Sequence, residues 1–147
     1  QGTMGHSGLH VEHDAPIPTW FGIGGRADRL ARPSNLDELK QCVVIDPNLR
    51  VLGDGANLLV DDEGVGELVV SLHSKLLTHW TIDRGSGRVT AAAGANLPKL
   101  ILETVRLGLA GLEGLGGIPA TIGGAVIVVF ACLMSQRAAQ AKPSGKT

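Results

Sequence analysis

Glycine decides most of what this chain can fold into: 21 of its 147 residues are glycine, roughly twice the ordinary share of about 7 per cent and without the three-residue period of collagen. Glycines clustered in this way mark tight turns and places where backbone passes close to backbone or to a ligand. From Gly108 to Ala125, six glycines after Gly108 and Pro119 interrupt any regular long helix, so this stretch is expected to be loop with short turns. A second, shorter cluster is Gly53-Asp54-Gly55-Ala56-Asn57, directly after the apolar Val51-Leu52.

Between these clusters the periodicity gives an α+β chain. Ser34 is placed to cap a helix, with Asp37 three residues on as in a capping box and Leu36, Leu39 and Val43 on one face. Arg50 to Gly53 and Asn57 to Val60 read as two short strands around the glycine turn, and Glu67 to Leu72 as another. Thr78 to Asp83, the turn Arg84-Gly85-Ser86-Gly87 and Arg88 to Ala93 form a hairpin. The clearest helix is Leu97 to Leu107, capped by Asn96, with Pro98 in its first turn and Gly108 past its end.

Composition removes several classes of function. The net charge of −1 with scattered Lys and Arg leaves no footprint for a nucleic-acid backbone. With no Tyr, and only Trp20, Trp80, Phe21 and Phe130 as aromatics, it also lacks platforms for stacking bases. Cys42 and Cys132 form no metal-ligand spacing, which suits a reduced, cytoplasmic protein. Residues 1–15 carry no basic and apolar signal pattern and read as a flexible leader, on which His6, His10 and His13 are expected to be solvated instead of metal-bound.

Chemistry is concentrated in the glycine clusters. Backbone N–H groups freed of side chains can converge on a pyrophosphate, and Gly53, Asp54, Gly55, Ala56, Asn57 and Leu58 are one candidate cradle. A plain tight hairpin is the competing reading. Leu58 stands where a Rossmann fingerprint needs its third glycine, so a nicotinamide site of that type is disfavoured. The second candidate comprises Gly117, Ile118, Pro119, Ala120, Thr121, Gly123, Gly124 and Ala125; its competitor is a packed bend. Ser71, His73 and Ser74, at a strand end, give no triad geometry by alternation, and no catalytic or metal-binding residue is assigned.

Four segments in order carry a family resemblance: Thr19-Trp20-Phe21-Gly22-Ile23-Gly24-Gly25-Arg26-Ala27, Val51 to Val60, Ala93-Gly94-Ala95, and Gly108 to Ala125. Together they resemble the UDP-N-acetylenolpyruvoylglucosamine reductase (UDP-N-acetylmuramate dehydrogenase) family over about Pro16 to Val126. The resemblance implies a vanillyl-alcohol-oxidase-type FAD-binding domain of two small α/β subdomains, about 16–75 and 76–130. It also implies a bacterial, cytoplasmic role in peptidoglycan precursor synthesis, in which NADPH reduces FAD and FAD reduces a UDP-sugar enolpyruvyl ether. Gly53 to Leu58 would contact the pyrophosphate, and Gly117 to Ala125 the pyrophosphate and flavin side.

Departures from the family pattern carry implications of their own. Ala56 stands where the family usually has Ser, removing a hydroxyl worth on the order of 1 kcal/mol, and Ala120 replaces a glycine. After Gly124 the family's Asn-Ala-Gly-type turn gives way to the apolar run from Val126 to Met134. The family's downstream motifs, including the Tyr-Arg-x-Ser segment and the Ser near Phe-Lys-Asn-Pro, have no counterpart here. A C-terminally truncated domain is therefore expected, inactive alone, with 16–130 folded and 131–147 a disordered tail. The alternative is a non-catalytic interaction or membrane-tethered protein using the charge-free run from Leu115 to Met134, although Pro119 and its glycines argue against a span.

Overall fold

A computed structural model describes residues 8–140. Its elements are β1 (Val11–Pro16), β2 (Arg26–Ala31), α1 (Leu36–Ile45), β3 (Arg50–Leu52), β4 (Val65–Ser71), β5 (Trp80–Asp83), β6 (Arg88–Ala91), α2 (Leu97–Arg106), a 3-10 turn at Glu113–Leu115 and α3 (Ile122–Gln140). The fold is α+β, with a four-stranded sheet in the order β1-β2-β4-β3 and a separate two-stranded sheet, β5-β6.

β4 shows why its sequence reads as an almost unbroken apolar run. It lies between β2 and β3, parallel to both, and a parallel strand in mid-sheet is covered on both faces. Side chains alternate across it. Leu68 and Val70 join Ala31, Cys42, Leu72 and Leu77 on the face that meets Leu39 of α1. Val69 joins Ala15, Ala27, Leu30 and Leu52 on the other.

α1 sits one residue away from its expected register. Asn35, not Ser34, is the cap, its Oδ1 accepting the Glu38 N–H at 2.9 Å. The acid that reaches back is Glu38, not Asp37: its carboxylate accepts the Ser34 N–H at 2.7 Å and the hydroxyl at 2.9 Å. The inward face is consequently Glu38 and Cys42 with Leu39, while Leu36 and Val43 are more than half exposed. At the other end Asp46 receives the Leu68 N–H at 2.9 Å and the Arg29 guanidinium at 2.8 Å, tying helix, β2 and β4 together.

Three further segments differ from expectation. Asn57 to Val60 is not a strand, because the chain leaves the sheet after β3 and finds no neighbour to pair with; Leu59 is largely exposed. Val11 to Pro16, expected to be flexible leader as far as Ala15, is an edge strand antiparallel to β2, with Ala15 buried. His10 and His13 are exposed, and residues 1–7, including His6, lie outside the described residues. α3 begins at Ile122, inside the stretch expected to be loop, and runs through 131–140, where a disordered tail is expected; residues 141–147 lie outside the described residues. Thr121 makes the helix start possible, since its carbonyl and hydroxyl take the N–H groups of Ala125 and Gly124. No helix of the described residues is long and apolar enough to cross a membrane.

The hairpin and α2 match their readings closely. β5 and β6 pair antiparallel around Arg84 to Gly87. Asn96 Oδ1 accepts the Lys99 N–H at 3.0 Å, and Gly108, at φ +72°, ends α2 in the left-handed conformation.

Candidate functional site

The two glycine clusters are brought together. Gly53, Asp54, Gly55, Ala56, Asn57 and Leu58 form one wall of a cavity of about 340 Å³, and Pro119, Ala120, Thr121, Gly123 and Gly124 form the other. Leu72, Ala93 and Ile127 close it. The Asn57 side-chain amide reaches across to the Pro119 carbonyl at 3.5 Å.

Both walls are fixed by close backbone packing. A Cβ on Gly53 would stand 2.7 Å from the Thr121 hydroxyl, so only glycine lets the walls approach this far. Gly55 has φ +66°, and a Cβ there would press on the Pro18 carbonyl at 2.5 Å. That contact and the Trp20 N–H donated to the Gly55 carbonyl at 3.1 Å brace the turn from behind. On the opposite wall, Ala95 and Ala93 carbonyls accept the Ile122 and Gly123 N–H groups, each at 2.8 Å, while Leu97 N–H donates to the Ala120 carbonyl at 3.2 Å. The second wall therefore hangs on the entrance to α2.

This bonding sorts the available donors. Among the described residues, the main-chain N–H groups of Gly53 to Leu58, and those of Ala120 and Thr121, donate to no protein acceptor. Those of Ile122, Gly123 and Ala125 are occupied, and Gly124 makes a long bond of 3.4 Å to the Thr121 hydroxyl. The unpartnered amides of the cleft thus belong mainly to the first turn. A helix N-terminus adds its favourable field beneath the second wall.

Not every sequence candidate reaches the cleft. Gly117, at φ +87°, and Ile118, whose N–H closes the 3-10 turn onto Leu115, are absent from its lining. Ala125 is turned away and buried beside Leu97 and Leu100 in a second, apolar cavity of about 410 Å³. The helical start at Ile122 causes this, because it carries Ala125 to the far side of the turn from Gly123.

The structure also gathers side chains that strand alternation alone did not. Leu52 pairs with Ser71 in the parallel register of β3 and β4. Two residues beyond each, Asp54 and His73 come together, with His73 Nε2 3.9 Å from Asp54 Oδ1. His73 Nδ1 is 2.8 Å from the Ser71 hydroxyl, which is buried. A hydroxyl so enclosed is not a nucleophile for an outside substrate. Spacing alone could not reveal the cluster, because it needs the pairing of two strands nineteen positions apart in register.

The family model described as FAD binding domain matches residues 27–138, most of the chain. The chain belongs to the FAD binding domain family. Its cleft suits the family name: free amides converge where a bulky side chain would intrude, and the volume falls in the range of about 300 to 1,000 Å³ typical of ligand pockets, enough here for part of a dinucleotide. The UDP-N-acetylenolpyruvoylglucosamine reductase of Moorella thermoacetica is 44% identical over 127 residues, covering 82% of this chain and 40% of that protein. The enzyme of the same name from Paramagnetospirillum magneticum is 42% identical over 121 residues, covering 79% and 38%. The crystal structure of UDP-N-acetylenolpyruvylglucosamine reductase from Thermus caldophilus superposes with a TM-score of 0.64 at 41% identity, covering 80% of this chain and 41% of that one. This member of the family therefore spans about two fifths of the length of these relatives.

Proposed function

We propose that the chain is the FAD-holding part of an NADPH-dependent reductase that converts UDP-N-acetylglucosamine enolpyruvate to UDP-N-acetylmuramate. The observation that carries this reading is the single cleft shared by Gly53 to Leu58 and Pro119 to Gly124, lined by amides that no protein acceptor uses. FAD, when bound, would relay hydride between the nicotinamide and the enolpyruvyl carbon. The chain's own part is binding and orientation. Amides of Gly53 to Leu58, with those of Ala120 and Thr121, would hold the pyrophosphate, and Asn57 would keep the walls in register.

Chemistry at the substrate, and recognition of the UDP-sugar, fall in this reading to polypeptide corresponding to the remainder of the longer relatives. A bacterial cytoplasmic setting accompanies the proposal, supported by the relatives' names and by Cys42 and Cys132 being free thiols. The test is to incubate the purified chain with FAD, remove free cofactor by desalting and record the visible spectrum. A retained flavin band is expected, weakened by Gly53→Val, whose side chain would strike Thr121. Loss of the band from the unsubstituted chain would refute the reading.

A further inference from the structure

Between Glu113 and Arg137 the sequence holds no charged residue, and the first turns of α3 lie within this run. They divide three ways around the helix axis. Gly123, Gly124 and Ile127 line the cleft, whereas Ile122, Val126, Val129 and Phe130 line the apolar cavity of about 410 Å³. Val128 is on neither side, and Cys132 follows it one turn later on the same stripe, also exposed. A helix lying on a lipid surface keeps one polar face for water. Residues 122–132 have no such face, since the consecutive side chains Val126 to Phe130 are all exposed and all apolar. A helix apolar on every side is covered by protein.

The cover that suits this face is a second copy of it. In a two-fold contact each patch meets its own counterpart, so a charged patch repels itself and an uncharged one does not. The shape is reciprocal as well: each copy offers an open cavity framed by Leu97, Leu100, Leu112 and Leu115, and beside it an exposed helix to lay against its partner's. Side chains of this size present roughly 150 to 200 Å² when free, so five of them exposed by 38% to 71% offer about 500 Å² per copy. A specific interface needs about 1,000 Å² from the two partners together, which α3 alone supplies before the cavity walls are added. The other strongly exposed helical position is a poorer candidate. Val44 of α1 is 83% exposed but shares its stripe with Lys40 one turn earlier, so a self-contact there would bring like charges together.

We propose that α3 is a homodimer interface, in which two copies of this chain pair isologously across the stripe of Val128 and Cys132. Such a contact closes on itself and stops at two. It leaves Gly123, Gly124 and Ile127 on the cleft side, so the pairing is independent of the FAD-holding reading above.

The experiment is sedimentation velocity of the full chain over a wide range of concentration, joined to chemical cross-linking. The chain should pass from monomer to dimer as concentration rises, with no larger species. A short bismaleimide should join two copies through Cys132 into a covalent dimer, Cys42 being buried, and Cys132→Ser should abolish that product while leaving sedimentation unchanged. Val128→Glu and Val128→Lys should each weaken the dimer by more than about tenfold, because each carries an unpaired charge into the contact twice. Mixed in equal amounts, the two variants should pair again, which variants that merely fail to fold cannot do. Val44→Lys should behave as the unsubstituted chain. A chain that stays monomeric at every concentration, or species that grow beyond two, overturns the proposal. So does a dimer that gives no Cys132 cross-link, an absence of recovery on mixing, or an equal loss of dimer in Val44→Lys.

Discussion

Single carboxylates hold the ends of α1 and do so in a pH-dependent way. The N–H of Leu68, together with that of Asn48 and the Arg29 guanidinium, holds the Asp46 carboxyl below its ordinary value of 3.8. Hydrogen bonds from the Ser34 backbone and hydroxyl likewise lower Glu38. A carboxyl lowered by folding contributes stability above its unfolded value and loses it as pH falls through the folded one. Asp46→Asn should therefore lower the thermal midpoint at pH 7, and the gap from the unsubstituted chain should begin to shrink as pH falls below about 4 and close only below the lowered folded value, where the carboxyl is protonated in the native state as well. A gap that stays constant down to pH 2 would mean that the charge contributes nothing. At this scale the sequence was informative about chemistry and not about register: an acid three residues after a cap was visible, but Ser34-Asn35 and Asp37-Glu38 offer two such pairs one residue apart. Only the burial of Cys42 against Leu68 and Val70 selects between them.

Elements whose determinants are local were legible in full. The hairpin carries its turn between its strands, and α2 carries Asn96, Pro98 and Gly108 within one short span. Elements that depend on distant partners were not. Asn57 to Val60 has strand-like residues and no strand to pair with, whereas Ile122 to Gly124 has residues poor for a helix and starts one because Ala93 and Ala95 accept its first amides. The cleft followed the same division: its two walls could be named from glycine content, while the Asp54 and His73 pairing required the β3–β4 register. Gly94 connects the hairpin to α2 where Leu72 and Leu77 carbonyls crowd it, the latter 2.6 Å from where a Cβ would lie. Gly94→Ala is expected to destabilise by about 1 to 3 kcal/mol through overpacking, measured by urea unfolding. A change below the error of that measurement would show that the junction yields freely.

On the scale of the whole molecule, α3 carries the longest consecutive run of exposed large apolar side chains among the described residues. Val126 to Phe130 are consecutive and all exposed, Ile127 the most at 71%, although a helix apolar on every side is ordinarily buried. The apolar cavity beside it, framed by Leu97, Leu100, Leu112 and Leu115, adds to the same uncovered region. Contiguous apolar surface of this kind promotes association. The purified chain should sediment as a concentration-dependent mixture, and Val128→Lys, which touches neither cavity, should shift it toward monomer; an unsubstituted chain that is monomeric at all concentrations would contradict this. The same helix has its first turn sewn to the lead-in of α2 through the carbonyls of Ala93 and Ala95. Thr121 is thus at once a wall of the cleft and a stitch in that seam, so a group gripping it from the cleft would bear directly on the entrance to α2.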